Sequence, residues 1–132
     1  MQSEENYLRA IYHLKEENKE IRSVELADYL DISKASVSEM LRSLFEKGLI
    51  KDPRYKEVEL TKKGLNQAIN FTNKHRIIER FLQDILKISK NKIHEEAHKL
   101  EHTFSEESIT KLNSLLNKPK SCPHGKPITR IM

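Results

Sequence analysis

The chain has 132 residues, only 3 glycines and 4 prolines, an apolar share of 36% and a charged share of 33%. These counts exclude a β-sandwich, a collagen-like fibre and a flexible linker protein, and point to a mainly α fold of one or two small modules. The net charge of +4 permits a nucleic-acid partner without requiring one. The apolar fraction is low for a monomer of this size, a deficit that a small amphipathic chain can make up by dimerising. The single cysteine, Cys122, excludes an internal disulfide framework and fits a reducing compartment. It is expected to be a lone thiol. No apolar run reaches the length of a membrane span, and the N-terminus is acidic where a signal peptide would be basic. A cytoplasmic chain with no membrane association is expected.

Tyr7, Leu8, Ile11, Tyr12 and Leu14 share one face of a helix predicted over about 4–17. Ser23 is read as the cap of a second helix that buries Val24, Leu26, Ala27 and Leu30. Asp31-Ile32-Ser33 is a short turn. Ser33 then caps a third helix with the stripe Val37, Met40, Leu41, Leu44 and Phe45, stopped near Gly48. The period changes next. Leu49-Ile50-Lys51 and Val58-Glu59-Leu60, around Asp52-Pro53-Arg54-Tyr55, predict two short antiparallel strands with a charged tip. The order helix, helix, turn, helix, two strands is that of a winged helix-turn-helix.

Thr61 or Lys62 opens a long helix expected to reach about Ile88. Gly64 lies near its start, where a glycine costs little. A further helix is predicted over about 91–103, and Ser105 caps a last one through about Leu116. The tail from Asn117 is expected to be irregular. The reading gives a DNA-binding part at residues 1–64 and an all-helical part at 65–132.

The second helix of a helix-turn-helix enters the major groove, and its exposed side chains meet base edges and phosphates. Here those residues are Ser33, Lys34, Ala35, Ser36, Ser38, Glu39 and Arg42. Arg54, Tyr55 and Lys56 form the wing tip, and Arg22 and Ser23 stand at a helix start suited to phosphate. A winged helix that binds another protein would look similar, and Glu39 is unfavourable beside phosphate.

Five of the six histidines lie in the second part. His94, His98, Glu101 and His102 fall on one side of a helix, and packing it on the long helix would bring His75 and Glu79 to meet them. Imidazole nitrogen and carboxylate oxygen suit Mn²⁺, Fe²⁺, Co²⁺, Ni²⁺ or Zn²⁺. By letter, His94-Glu95-Glu96-Ala97-His98 is also the H-E-x-x-H of zinc peptidases. The helix is short, no substrate-binding sheet is evident, and the extra ligands leave no open catalytic position. The chain is therefore read as no enzyme, with no small-molecule substrate.

EENYLRAIYHL, LADYLDISKASVSEMLRSLFEKGLI, LTKKG, KHRIIERFL, IHEEAHKLEH and SCPHGKPI together resemble the DtxR/MntR family of metal-dependent transcriptional repressors. The resemblance runs from about Glu4 to Ile128. It implies a homodimer that binds double-stranded operator DNA when Fe²⁺ or Mn²⁺ is abundant and controls metal uptake genes. It also implies a primary metal site of His98, Glu101 and His102, completed from the first helix by Asn6, and an ancillary site of His75, Glu79 and His94. Asn6 replaces the methionine or aspartate of the family, and Arg9 replaces a carboxylate of the manganese branch. The third small domain of longer members is not expected in these residues, so water would take the place of any ligand it lends. The alternatives are a DNA-binding regulator with a purely structural metal and a winged-helix protein-interaction module.

Overall fold

A computed structural model describes residues 4–17, 20–54 and 57–129. Among them the helices are α1 (Glu4–Glu16), α2 (Ser23–Leu30), α3 (Lys34–Glu46), α4 (Lys62–Asp84), α5 (Lys90–Glu101) and α6 (Glu106–Leu115). The chain forms two compact units, Met1–Ile69 and Asn70–Met132, and the division falls inside α4. No described helix is long and apolar enough to cross a membrane.

The first unit is a winged helix-turn-helix. α1 buries Tyr7, Leu8, Ala10, Ile11 and Leu14, the stripe its spacing dictates. Leu26 and Ala27 of α2, Val37, Leu41 and Leu44 of α3, and Ile21, Leu49, Ile50 and Val58 are buried in the same unit. Asp31 ends α2 in the left-handed conformation at φ 54°, and the Ile32 amide donates to the Ala27 carbonyl at 3.1 Å. Ser33 caps α3 as expected, accepting from the Ser36 amide at 3.1 Å.

Several local expectations are corrected. Val24 and Phe45, expected on the buried faces of α2 and α3, are 46% and 42% exposed. Ser23 is the first helical residue of α2, and Arg22 occupies the cap position. Glu25 reaches back to accept from the Arg22 amide at 3.0 Å, and this half of a capping box works whatever side chain stands at the cap. The wing holds no extended pair of strands among the described residues: one antiparallel bridge joins Ile50 and Leu60, beside a bond from the Lys51 amide to the Glu59 carbonyl at 2.9 Å. Pro53 has no amide hydrogen, and the Asp52 side chain takes the Arg54 amide at 3.0 Å, so the ladder cannot extend to the tip.

Thr61 builds the start of α4. Its hydroxyl accepts from the Gly64 amide at 3.1 Å and donates to the Gly48 carbonyl at 2.7 Å. Gly64 is required here: a Cβ would stand 1.9 Å from the Leu49 carbonyl oxygen. The helix stops at Asp84, short of Ile88, because Lys87 turns left-handed at φ 57° and the Ile88 amide returns to the Leu82 carbonyl at 2.9 Å.

In the second unit Ile77, Ile78 and Leu82 of α4 pack with Ile93 and Ala97 of α5 and Leu112 of α6. Ser105 caps α6, accepting from the Ser108 amide at 3.1 Å. The tail is irregular except for a bridge between Ser121 and Pro127.

Candidate functional site

α4 and α5 bring together the imidazoles and carboxylates that sequence spacing singles out. Three groups have all their ligand atoms within 4.8 Å of one another: His75, Glu79 and His94; Glu79, Cys122 and His124; and His98, Glu101 and His102. α4 supplies His75 and Glu79 one turn apart. α5 supplies His94, His98 and Glu101 on one side, and His102 follows as its C-cap.

Glu79 is the centre of the first two groups. Its Oε2 is buried and has no hydrogen-bond partner among the described residues. It lies 3.6 Å from His75 Nε2, 3.5 Å from His94 Nδ1 and 3.7 Å from His124 Nδ1. His75 Nε2 and His94 Nδ1 are 3.1 Å apart. Two donors each about 2.1 Å from a tetrahedral ion stand about 3.4 Å from each other. The separations fit nitrogen and oxygen atoms arranged around a common cation better than carboxylate–imidazole hydrogen bonds. The donor set fits a divalent transition metal.

The other nitrogen of His75 faces a second carboxylate, with Nδ1 2.6 Å from Glu101 Oε2. Burial opposes protonation of His75, but the polar contacts and charges of Glu101 and Glu79 outweigh it and hold the pKa above its ordinary value. Burial likewise raises the carboxyl of Glu79, but the nearby imidazoles of His75 and His94 win and bring it down to about 2. The Glu79 carboxylate is thus ionised across the physiological range, the form a cation needs.

In the third group His98 Nδ1 is 3.0 Å and His102 Nε2 3.9 Å from Glu101 Oε1. Glu101 is buried, while the side chains of His98 and His102 are 47% and 44% exposed. This group opens to solvent. His94 and His98 therefore serve different groups, and Glu95 is exposed outside both, so the H-E-x-x-H letters do not build a peptidase site.

Cys122 and His124 are candidate ligands that sequence reasoning misses. Cys122 is the lone thiol expected, 2% exposed, and its sulfur stands with Glu79 and His124 in a group that could hold a metal ion. The available signal was the Cys-Pro-His-Gly turn, which sets sulfur and imidazole two residues apart. Asn6, in α1, is half-buried, and its amide oxygen accepts from the Arg9 guanidinium at 2.9 Å.

The candidate nucleic-acid face lies on the first unit. Lys34, Ala35, Ser36, Ser38, Glu39 and Arg42 are exposed along α3, with Ser33 at its cap. Arg22 is exposed and pairs with Glu20 at 3.3 Å, and Ser23 is half-buried. Arg54 is exposed but closes on its neighbour, with Nη2 2.6 Å from Asp52 Oδ2. Tyr55 and Lys56 lie outside the described residues.

A winged helix-turn-helix followed by a helical unit with His/Glu groups defines a metal-linked DNA-binding class. Comparison with known proteins agrees. Residues 1–58 match the iron dependent repressor N-terminal DNA binding domain, and residues 61–130 match the iron dependent repressor metal binding and dimerisation domain. The chain belongs to the iron-dependent repressor family.

The iron-dependent repressor IdeR of Mycobacterium tuberculosis is 36% identical over 128 residues, 97% of this chain and 56% of that protein. An HTH-type transcriptional regulator of Methanocaldococcus jannaschii is 37% identical over 120 residues, 90% of this chain and 96% of that protein. The structure of the manganese regulator SloR superposes with a TM-score of 0.85 at 38% identity, covering 98% of this chain and 60% of that one. The chain thus spans just over half the length of the IdeR relatives it matches.

Proposed function

We propose that this chain is a metal-dependent transcriptional repressor that binds operator DNA as a homodimer when Fe²⁺ or Mn²⁺ is abundant, and so controls metal uptake genes in the cytoplasm. The observation that carries this reading is the buried Glu79 oxygen, ringed by imidazole nitrogens at metal-ligand separations, in a chain that also carries a winged helix. IdeR is an iron-dependent repressor and SloR a manganese regulator, which supports these two metals.

His98, Glu101 and His102, with Asn6, would hold the primary ion. His75, Glu79 and His94 would hold the ancillary one, with Cys122 and His124 offering Glu79 a second pair of donors. A bound metal would supply the positive charge that joins ligands from separate segments. The residues themselves do the rest: Glu101 orients His75, and Glu79 stays ionised in a buried place. The solvent-open His98 and His102 favour an exchangeable ion over a permanent structural one.

Ser33, Lys34, Ala35, Ser36, Ser38, Glu39 and Arg42 would read the major groove. Arg22, Ser23, Arg54, Tyr55 and Lys56 would contact the backbone. Ile85, Leu86 and Leu115, exposed apolar residues of the second unit, suit a contact with another copy. Regulation follows from linkage: a metal that binds the DNA-competent arrangement about 100-fold better shifts the balance toward it by roughly 2.7 kcal/mol.

The test uses a duplex selected by the protein from a random pool in the presence of Mn²⁺. Its affinity is measured with Fe²⁺, with Mn²⁺ and with chelator, for the wild type and for His102→Ala. The proposal expects tight binding only with metal and loss of that response in the variant. Equal wild-type affinity with and without metal overturns it.

A further inference from the structure

Cys122 and His124 lie on a segment with almost no regular structure, yet its register is tightly fixed. The Cys122 amide donates to the Lys126 carbonyl at 2.8 Å, and the Ile128 amide to the Lys120 carbonyl at 2.8 Å. The turn closes through the Gly125 amide on the Cys122 carbonyl at 2.9 Å, with Gly125 at φ +84°. The Lys126 amide also donates to Cys122 Sγ at 3.3 Å, which fixes the direction of the sulfur.

Three side chains of α4 bond to this hairpin. Arg80 donates from Nε at 3.2 Å and from Nη2 at 3.1 Å to the Ser121 carbonyl. Arg76 Nη1 donates to the Pro127 carbonyl at 2.6 Å. Asn73 accepts from the Thr129 amide at 3.0 Å and donates to the Thr129 carbonyl. Positions 73, 76 and 80 are three and four apart, so they form one row along the helix. Each of these bonds ends on the hairpin backbone, while Arg80 Nη1 also donates to Asp84 Oδ1 at 3.4 Å. The row therefore fixes where the tail lies without dictating its side chains.

We propose that Asn73, Arg76 and Arg80 are positioning residues that hold the hairpin in the register presenting Cys122 and His124 to Glu79, so that a thiolate–imidazole–carboxylate centre for a thiophilic divalent cation is preformed. The inference rests on the reading of the Glu79 group as a metal centre. Without the row, a metal would have to order the tail itself, and the entropy of that ordering would weaken its binding. Arg80 matters most for sulfur, because it holds the carbonyl of the residue just before Cys122.

The test is a Co²⁺ titration of the intact chain, followed by the sulfur-to-cobalt charge-transfer absorption. Cys122 is the single cysteine, so the band reports this centre alone. The wild type should show the band and Cys122→Ser should lack it. Arg80→Ala and Asn73→Ala should reach the wild-type band at saturation but need about 10- to 100-fold more cobalt. Arg80→Lys, which keeps one donor, should recover part of the affinity. Cobalt bound without this band, measured calorimetrically in Cys122→Ser and in Cys122→Ser/Arg80→Ala, should have equal affinity in the two. Wild-type cobalt affinity in Arg80→Ala and Asn73→Ala overturns the positioning role, as does equal weakening of the sulfur-free cobalt site. A wild type without the band overturns the metal reading of Cys122 itself, a failure visible before any α4 variant is made.

Discussion

His75 and Glu101 join two candidate metal-ligand groups through one contact, Nδ1 to Oε2 at 2.6 Å. His75 belongs with Glu79 and His94, and Glu101 with His98 and His102. With Nδ1–H directed at Glu101, His75 Nε2 keeps a lone pair for a cation, the carboxylate–histidine–metal arrangement that raises ligand basicity.

Glu101→Ala should therefore weaken both centres. The His98–His102 centre loses a ligand, and the Glu79 centre loses the orientation of His75, worth about 10- to 100-fold in affinity. Calorimetric Mn²⁺ titrations of Glu101→Ala and of His98→Ala separate the effects. A Glu79 centre unchanged in Glu101→Ala would show that the contact does not couple them.

In the metal-free chain, Glu79 and His75 make stability depend on pH in opposite senses. Glu79, held at about 2 against an ordinary 4.5, contributes stability above the ordinary value that is lost as pH falls through about 2. His75, raised above 6.5, contributes fully below 6.5 and loses that contribution as pH rises through its folded value. The melting temperature in chelator should peak between these limits, and Glu79→Gln should flatten the acid limb. Scanning calorimetry across the range checks both. A midpoint climbing steadily into the alkaline range contradicts the His75 half.

Gly64→Ala forces a Cβ to within 1.9 Å of the Leu49 carbonyl oxygen, and the backbone on each side is held by Thr61. A loss of about 3 kcal/mol is expected from this overpacking. Gly48→Ala meets no atom within 4 Å but pays for φ +75°, a cost of about 1–2 kcal/mol. Denaturant unfolding of both variants tests the order.

At the wing, Asp52 neutralises Arg54. Asp52→Asn should release the guanidinium and strengthen duplex binding, most at low salt, whereas Lys34→Ala should reduce the salt slope by about 1. Fluorescence anisotropy over a range of salt concentrations measures both. An unchanged slope in Lys34→Ala removes that lysine from the phosphate contacts.

Asn6 offers only an amide oxygen, already engaged by Arg9. Asn6→Asp would place a charged oxygen there, and Mn²⁺ affinity at the primary centre is expected to rise about tenfold. No gain in a calorimetric titration would exclude residue 6 from the ligand set.

Most helices are legible because they carry a local signal: the α1 stripe, the Ser33 and Ser105 caps, and the His/Glu spacing on α4 and α5, whereas the cap and buried face of α2 are misread at Ser23 and Val24. The wing was overread, since alternation around residues 50 and 60 does not reveal that Pro53 and Asp52 withhold the tip from the ladder. Gly64 read as tolerated, because its close neighbour, Leu49, is remote in sequence. Cys122 and His124 escaped for the same reason: their partner Glu79 is on α4, and helical periodicity says nothing about where an irregular tail lands.

The division of α5 between two groups has a practical reach. His94 and His98 stand one turn apart, yet each belongs to a different candidate ion-binding group. Substituting one leaves the other side chain in place on the same helix. A pair of single-site variants on this helix therefore addresses the two groups one at a time, and any cross-effect between them reads the His75–Glu101 contact that links them.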